Sequence, residues 1–125
     1  MTAPVKTAVP TFGSVVLDCP DPAALAAFYA ELLEWPAAKG DGDWMTLANP
    51  AGGPSIEFQR VADYQAPEWP SVRRPQQFHL DLTVEDLAAG HERALRLGAR
   101  ELDLNPESFK VYGDPAGHPF CLCAC

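Results

Sequence analysis

His79 and Asp81 stand two residues apart in Phe78-His79-Leu80-Asp81-Leu82, so on an extended strand they share one face. A carboxylate in that place can orient the imidazole. Glu57, in Ser55-Ile56-Glu57-Phe58, adds a carboxylate of the type used as a general base. Cys121, Cys123 and Cys125 alternate along the last strand, their Cα atoms roughly 6.5 Å apart. Neighbours spaced along one strand are poorly placed to bridge, and Cys-x-Cys-x-Cys is not a common zinc spacing. No Cys/His/Asn setting lowers the pKa of Cys121, so these read as inert thiols filling a barrel interior. His118, between Gly117 and Pro119, reads as turn structure, and His91, four residues after Leu87, as helix packing. The sequence holds no dinucleotide fingerprint, phosphate loop or Ser/His/Asp order.

The elements that must carry these residues repeat. Ser14–Asp21 lies against His79–Asp86 at an offset of 65, each a strand running into an acidic helix start. Pro50-Ala51-Gly52-Gly53-Pro54 echoes Pro115-Ala116-Gly117-His118-Pro119 at the same offset. In the first unit, Asp21 is the expected N-cap and Pro22 the first helical residue. Leu25, Phe28, Tyr29, Leu32 and Leu33 then form one apolar stripe, ended by Trp35-Pro36. Short strands are expected at 34–39 and 44–48, and another from the turn at 49–54 through Val61. In the second unit a strand covers 77–84, and Thr83, three residues before Asp86, reads as a capping-box start. Leu87, Ala94, Leu95 and Leu97 line the helix, with Gly98 as its C-terminal cap. Strands follow near 99–102, 108–112 and 119–124. The expected fold class is α+β, with two tandem βαβββ modules: module 1 at 12–62, a connection at 63–75 and module 2 at 76–125. Residues 1–11 form an N-terminal extension. The connection holds Pro67, Pro70 and Pro75 with Tyr64, Trp69, Arg73 and Arg74, so it is either a lid over a cavity or a packed linker.

Alternation assigns the faces. Val15, Leu17 and Cys19 face the first helix, and Ser14, Val16 and Asp18 the opposite, concave side. Leu80, Leu82 and Val84 go under the second helix; His79, Asp81 and Thr83 face the concavity, as do Cys121 and Cys123. At 55–60 an offset of 65 would bury Glu57 and Gln59 beneath an apolar helix, at a cost of several kcal/mol unless paired. Shifting the offset to 64 aligns Ile56 with Phe120 and Glu57 with Cys121, which puts Glu57 in the concavity.

Composition sets the outer limits. The chain has 125 residues, 47% hydrophobic and 21% charged, as an ordinary globular domain does. Nine lysines and arginines against seventeen acidic residues give a net charge of −8, which argues against nucleic acid or an anionic membrane as partner. No apolar run is long enough to span a bilayer, and the expected location is cytoplasmic.

Val16-Leu17-Asp18-Cys19-Pro20-Asp21-Pro22, Phe28-Tyr29, Phe78–Leu82, Leu97-Gly98-Ala99 and Asp114–Leu122 together resemble the vicinal oxygen chelate superfamily. That superfamily includes glyoxalase I, extradiol dioxygenases and the bleomycin- and fosfomycin-resistance proteins; the narrower likeness is to glyoxalase-like domain proteins. The resemblance implies a cup-shaped, antiparallel half-barrel pair around one cavity, and a homodimer. It carries the metal-ligand positions onto Ser14, Glu57, His79 and Cys121. Serine is a poor ligand, so the implied divalent metal (Zn, Ni, Mn or Fe) falls to Glu57, His79 and Cys121, with Asp81 orienting. Glu57 and His79 are the catalytic candidates, and Ser14, Asp81, Trp69 and Cys123 the expected lining of the substrate cavity. Two functions follow for a small organic molecule held there. One is a metal-dependent lyase, isomerase or dioxygenase-like activity; the other is metal-free sequestration of a cationic or aromatic ligand, as in bleomycin resistance.

Overall fold

The computed structural model describes residue 8 and residues 11–70, 73–103 and 109–124. Most of the expected N-terminal extension, Ser108 and Cys125 lie outside these. The element order is β1 (Ser14–Cys19), α1 (Pro22–Leu33), β2 (Lys39–Gly40), β3 (Trp44–Leu47), β4 (Ser55–Arg60), β5 (Leu80–Thr83), α2 (Leu87–Leu97), β6 (Arg100–Asp103), β7 (Phe109–Gly113) and β8 (Pro119–Cys123). This is βαβββ twice, as the repeat requires.

Each module makes one four-stranded sheet, in the orders β1-β4-β3-β2 and β5-β8-β7-β6. The sheets are mixed rather than purely antiparallel, which corrects the sequence expectation. In each module the first strand, followed by its crossover helix, pairs parallel with the last, while the other neighbours are antiparallel. The two sheets form an α+β half-barrel pair.

The helices begin and end where side chains satisfy their free backbone groups. Asp21 caps α1 by accepting from the Ala24 amide at 3.2 Å, with Pro22 at the first position. Asp86 does the same for α2, accepting from Ala89 N at 3.1 Å. The expected cap, Thr83, instead ends β5 and pairs with Cys123, so the strand claims it first. Gly98 closes α2 at φ 115°, a conformation that costs glycine little. Glu34, not Trp35-Pro36, is the C-cap of α1, itself left-handed at φ 55°.

Leu17, Cys19, Leu25, Phe28, Tyr29, Leu47, Ile56, Phe58, Tyr112, Phe120 and Leu122 form the shared core. Its centre is aromatic. Phe120 lies 5.3 Å from Tyr112, 6.0 Å from Phe28 and 6.2 Å from Tyr29, ring centre to ring centre, and Tyr29 stacks on Phe58 at 6.0 Å. In α2 only Ala94 is fully buried; Leu95, one position further round the helix, is 39% exposed and leaves the expected stripe. Arg93 of α2 reaches the Glu31 carbonyl and the Glu34 carboxylate of α1, tying the helices together.

A buried carboxylate holds the turn before β8. Asp114 accepts from Tyr29 Oη at 2.6 Å and from the amides of Ala116 and His118 at 2.9 and 3.0 Å. Gly117 completes this turn at φ 89°, and a Cβ there would come within 2.8 Å of Ala66 Cβ. Gly117→Ala is therefore expected to destabilise by about 1–3 kcal/mol, read from urea unfolding, because strain and overlap act together.

Candidate functional site

The offset of 64 beyond the turn at 49–54 is what the strands adopt. Ile56 and Phe58 are buried in β4 while Ser55, Glu57 and Gln59 alternate outward. Val16 lies opposite Glu57 on the parallel β1–β4 ladder, and Asp81 opposite Cys121 on β5–β8. Ser14 thus corresponds to His79, Val16 to Asp81, and Glu57 to Cys121, on one face of the two sheets.

Glu57 is enclosed by donors from its own module. Its Oε1 accepts from Trp44 Nε1 at 2.8 Å and Thr46 Oγ1 at 3.1 Å, and the Ser14 hydroxyl bonds the same carboxylate. These bonds, Ser14 first, hold the Glu57 carboxyl below its ordinary range. A lowered pKa means the folded state favours the ionised form. Stability from this set is present above the unfolded pKa of glutamate and is lost as pH falls through the folded value. NMR titration should find Ser14→Ala raising the Glu57 pKa toward the ordinary value; no change would remove Ser14 from the set.

The second module assembles a different cluster. His79 Nε2 lies 3.1 Å from Asp81 Oδ1, and one donor atom each from His79, Asp81 and Cys121 all fall within 4.8 Å of one another. His79 sits immediately before β5, with its side chain 40% exposed, and the Asp81 side chain is 74% exposed. Cys121 is half-buried and a free thiol. Burial pushes its pKa up first, and the Asp81 charge and hydrogen bond add to this. Glu57 is not in this group, so among the described residues the implied trio of Glu57, His79 and Cys121 is not gathered at one point. Asp81, expected only to orient, stands as close as a ligand would. Cys123, further along β8, is disulfide-bonded, so the expectation that none of these thiols is bridged fails there. Cys19 remains an inert core thiol, pushed up to about 11 by burial.

A cavity of about 330 Å³ opens beside the sheets. Val16 and Asp18 of β1 form its floor, and Tyr64, Pro67, Phe78 and His118 its sides. Arg74 stands at its edge, paired with Glu68 at 3.3 Å. His118 is more than a turn residue: its Nε2 meets the Asp18 carbonyl at 2.6 Å, joining the turn before β8 to β1. Since a carbonyl only accepts, that nitrogen carries the proton. Tyr64 Oη donates to the Ala116 carbonyl at 2.8 Å and lies 3.2 Å from the His118 ring. Trp69 faces elsewhere, lining a separate surface hollow with Arg100 and Leu102. Sequence reasoning placed Asp18 on the concave side and offered Tyr64 as part of a lid or packed linker, but passed over Phe78 and His118 as a wall. Their aromatic types at the two ends of the connection were the available signal. His91, expected as packing, bonds Tyr112 Oη at 2.7 Å and approaches Glu101 at 3.8 Å.

The family model for the glyoxalase-like domain matches residues 14–123, which span both sheets and the cavity. The chain belongs to the glyoxalase-like domain family. Solved relatives share the fold of this glyoxalase-like chain at low identity. A glyoxalase/bleomycin resistance protein/dioxygenase family enzyme from Burkholderia phytofirmans is 16% identical with a TM-score of 0.68, covering 88% of this chain and 94% of its own. A fosfomycin resistance protein from Listeria monocytogenes, solved with Mn(II) and a dihydroxypropylphosphonic acid, is 16% identical at a TM-score of 0.68, covering 93% and 90%. A glyoxalase-related enzyme from Fulvimarina pelagi is 19% identical at 0.67, covering 92% and 88%. No curated protein matches the chain in sequence. No helix among the described residues is long and apolar enough to cross a membrane.

Proposed function

We propose that this glyoxalase-like protein binds a small aromatic molecule, preferably cationic, in the cavity between β1 and the connection. The observation that carries this is the cavity's lining. Val16 and Phe78, apolar and more than one-third exposed, face a space of about 330 Å³, with Tyr64 and the His118 ring beside them. Exposed apolar surface grouped in a concavity is what a ligand covers, and the volume suits a compact molecule. Asp18 supplies a carboxylate at the floor, while Arg74 at the edge is held by Glu68, which also pairs with Arg73. An aromatic ring bearing an ammonium group would therefore be stabilised by both burial and charge.

Saturation-transfer NMR in EDTA, with a panel of small aromatic amines and aromatic carboxylic acids, tests the reading. Amines should bind to the parent, and Phe78→Ala or Asp18→Asn should weaken them at least fivefold, about 1 kcal/mol. Equal binding of acids and amines would remove the charge preference, and no binding by either class would sink the proposal.

A second reading, a divalent-metal-dependent lyase, isomerase or dioxygenase-like enzyme, is favoured by the His79, Asp81 and Cys121 cluster. When bound there, a metal would polarise an oxygen-bearing substrate. Glu57, kept ionised by its donors, would take the proton from carbon beside a carbonyl.

A further inference from the structure

We propose that the second module alone carries a metal site, with His79, Asp81 and Cys121 as its three protein ligands and Glu57 taking no part. This rests on the second reading above, and departs from the ligand positions implied by resemblance in using Asp81 instead of a donor from the first sheet. Three observations support it. The donor atoms of the trio already lie within 4.8 Å of one another. Asp81 and Cys121 are direct partners on the parallel β5–β8 ladder, so the sheet itself fixes their separation. The Glu57 carboxylate is meanwhile engaged within the first module, accepting from Trp44 and Thr46, with the Ser14 hydroxyl acting on the same group.

The donor chemistry selects the ion. One imidazole, one carboxylate and one thiolate suit a borderline-soft divalent ion such as zinc or cobalt, and suit manganese poorly. Three protein ligands also leave a position open. The corresponding positions in the first module are Ser14, Val16 and Glu57, which offer one strong ligand, so the duplicated fold would keep a single site in its second half.

Co(II) is the probe, because a thiolate ligand gives an intense sulfur-to-cobalt charge-transfer band that carboxylate and imidazole ligands do not. Titration of the full chain, monitored by absorbance and by calorimetry, should give one equivalent and that band. Cys121→Ser should abolish the band. His79→Ala and Asp81→Asn should each weaken binding by at least roughly tenfold. Glu57→Ala should leave both band and affinity unchanged. Asp81→Asn is the sharper variant, since its side-chain oxygen can still accept from the imidazole while being a poor ligand; retained affinity would make Asp81 an orienting residue and overturn the assignment. Loss of Co(II) binding in Glu57→Ala, or absence of the band in the parent, would overturn it equally. His79 and Asp81 are exposed enough that their variants should fold, which circular dichroism checks directly. The amine titrations are done in chelator, so a failure here leaves the cavity proposal standing, and the reverse also holds.

Discussion

Replacing Asp114 with alanine is expected to destabilise the protein by about 3–5 kcal/mol, a large part of the stability of a domain of this size. The carboxylate is 2% exposed and takes three hydrogen bonds, from Tyr29 Oη and from the amides of Ala116 and His118. Alanine removes the acceptor from all three donors at once. Tyr29 is fully buried, so its hydroxyl has no water to turn to, and an orphaned buried donor costs about 1–3 kcal/mol by itself. The effect should reach beyond the turn. His118 is positioned from one side by Asp114 and from the other by the Asp18 carbonyl, so the cavity wall loosens with it. Asp114→Asn keeps an oxygen for both amides and should lose clearly less. Urea unfolding of the two variants decides this; a loss under about 1 kcal/mol for alanine would mean that the turn is held by something else.

The same residue sets a pH dependence. Burial holds the Asp114 carboxyl above its ordinary range, although the Tyr29 hydroxyl, the His118 charge and the two amides pull it down. The folded protein then binds this proton more readily than the unfolded chain. The contribution of Asp114 to stability therefore falls as pH rises from the unfolded value through the folded one. Asp114→Asn should flatten that part of the profile, and an unchanged slope would show that other carboxylates produce it.

Much of this architecture was legible because the chain says it twice. The repeat gave two βαβββ modules, and weighing a buried Glu57 against a one-residue slip gave the register that β4 adopts. What alternation cannot give is which strand lies beside which. Nothing local in Ser14–Cys19 or Leu80–Thr83 distinguishes a parallel from an antiparallel partner, so the mixed character of the sheets was missed. The consequence for the site is direct. Asp81 and Cys121 lie far apart in sequence and meet only because β5 runs parallel beside β8 in one particular register. Sequence put both on the concave face and left their separation undefined. Thr83 was a local error of a different kind: a capping motif and a strand end competed for one residue, and pairing with Cys123 won. His118 read as turn structure with no visible partner, because the Asp18 carbonyl belongs to the other module.

Phe120→Ala should match the loss at Asp114, about 3–5 kcal/mol, for a reason free of charge. The ring is fully buried and lies within 5.3–6.2 Å of Tyr112, Phe28 and Tyr29, so alanine opens a cavity where rings from both modules converge. Such rings are rigid, and the site can collapse only by shifting α1 or β7, which keeps the expected cost high. Phe120→Leu fills most of the space and should cost much less, so the difference between the variants measures the cavity. Phe120 also precedes Cys121 in β8, with opposite parity. The strand that buries one side chain under the helices presents the other to Asp81. Packing on one face of β8 thereby fixes where the Cys121 thiol stands on the other. In conditions where Phe120→Ala is still more than nine-tenths folded, Co(II) binding should be weaker than in the parent, while Phe120→Leu should bind normally. Parent-like binding by folded Phe120→Ala would show that the ladder to β5 and β7 holds Cys121 without help from the core.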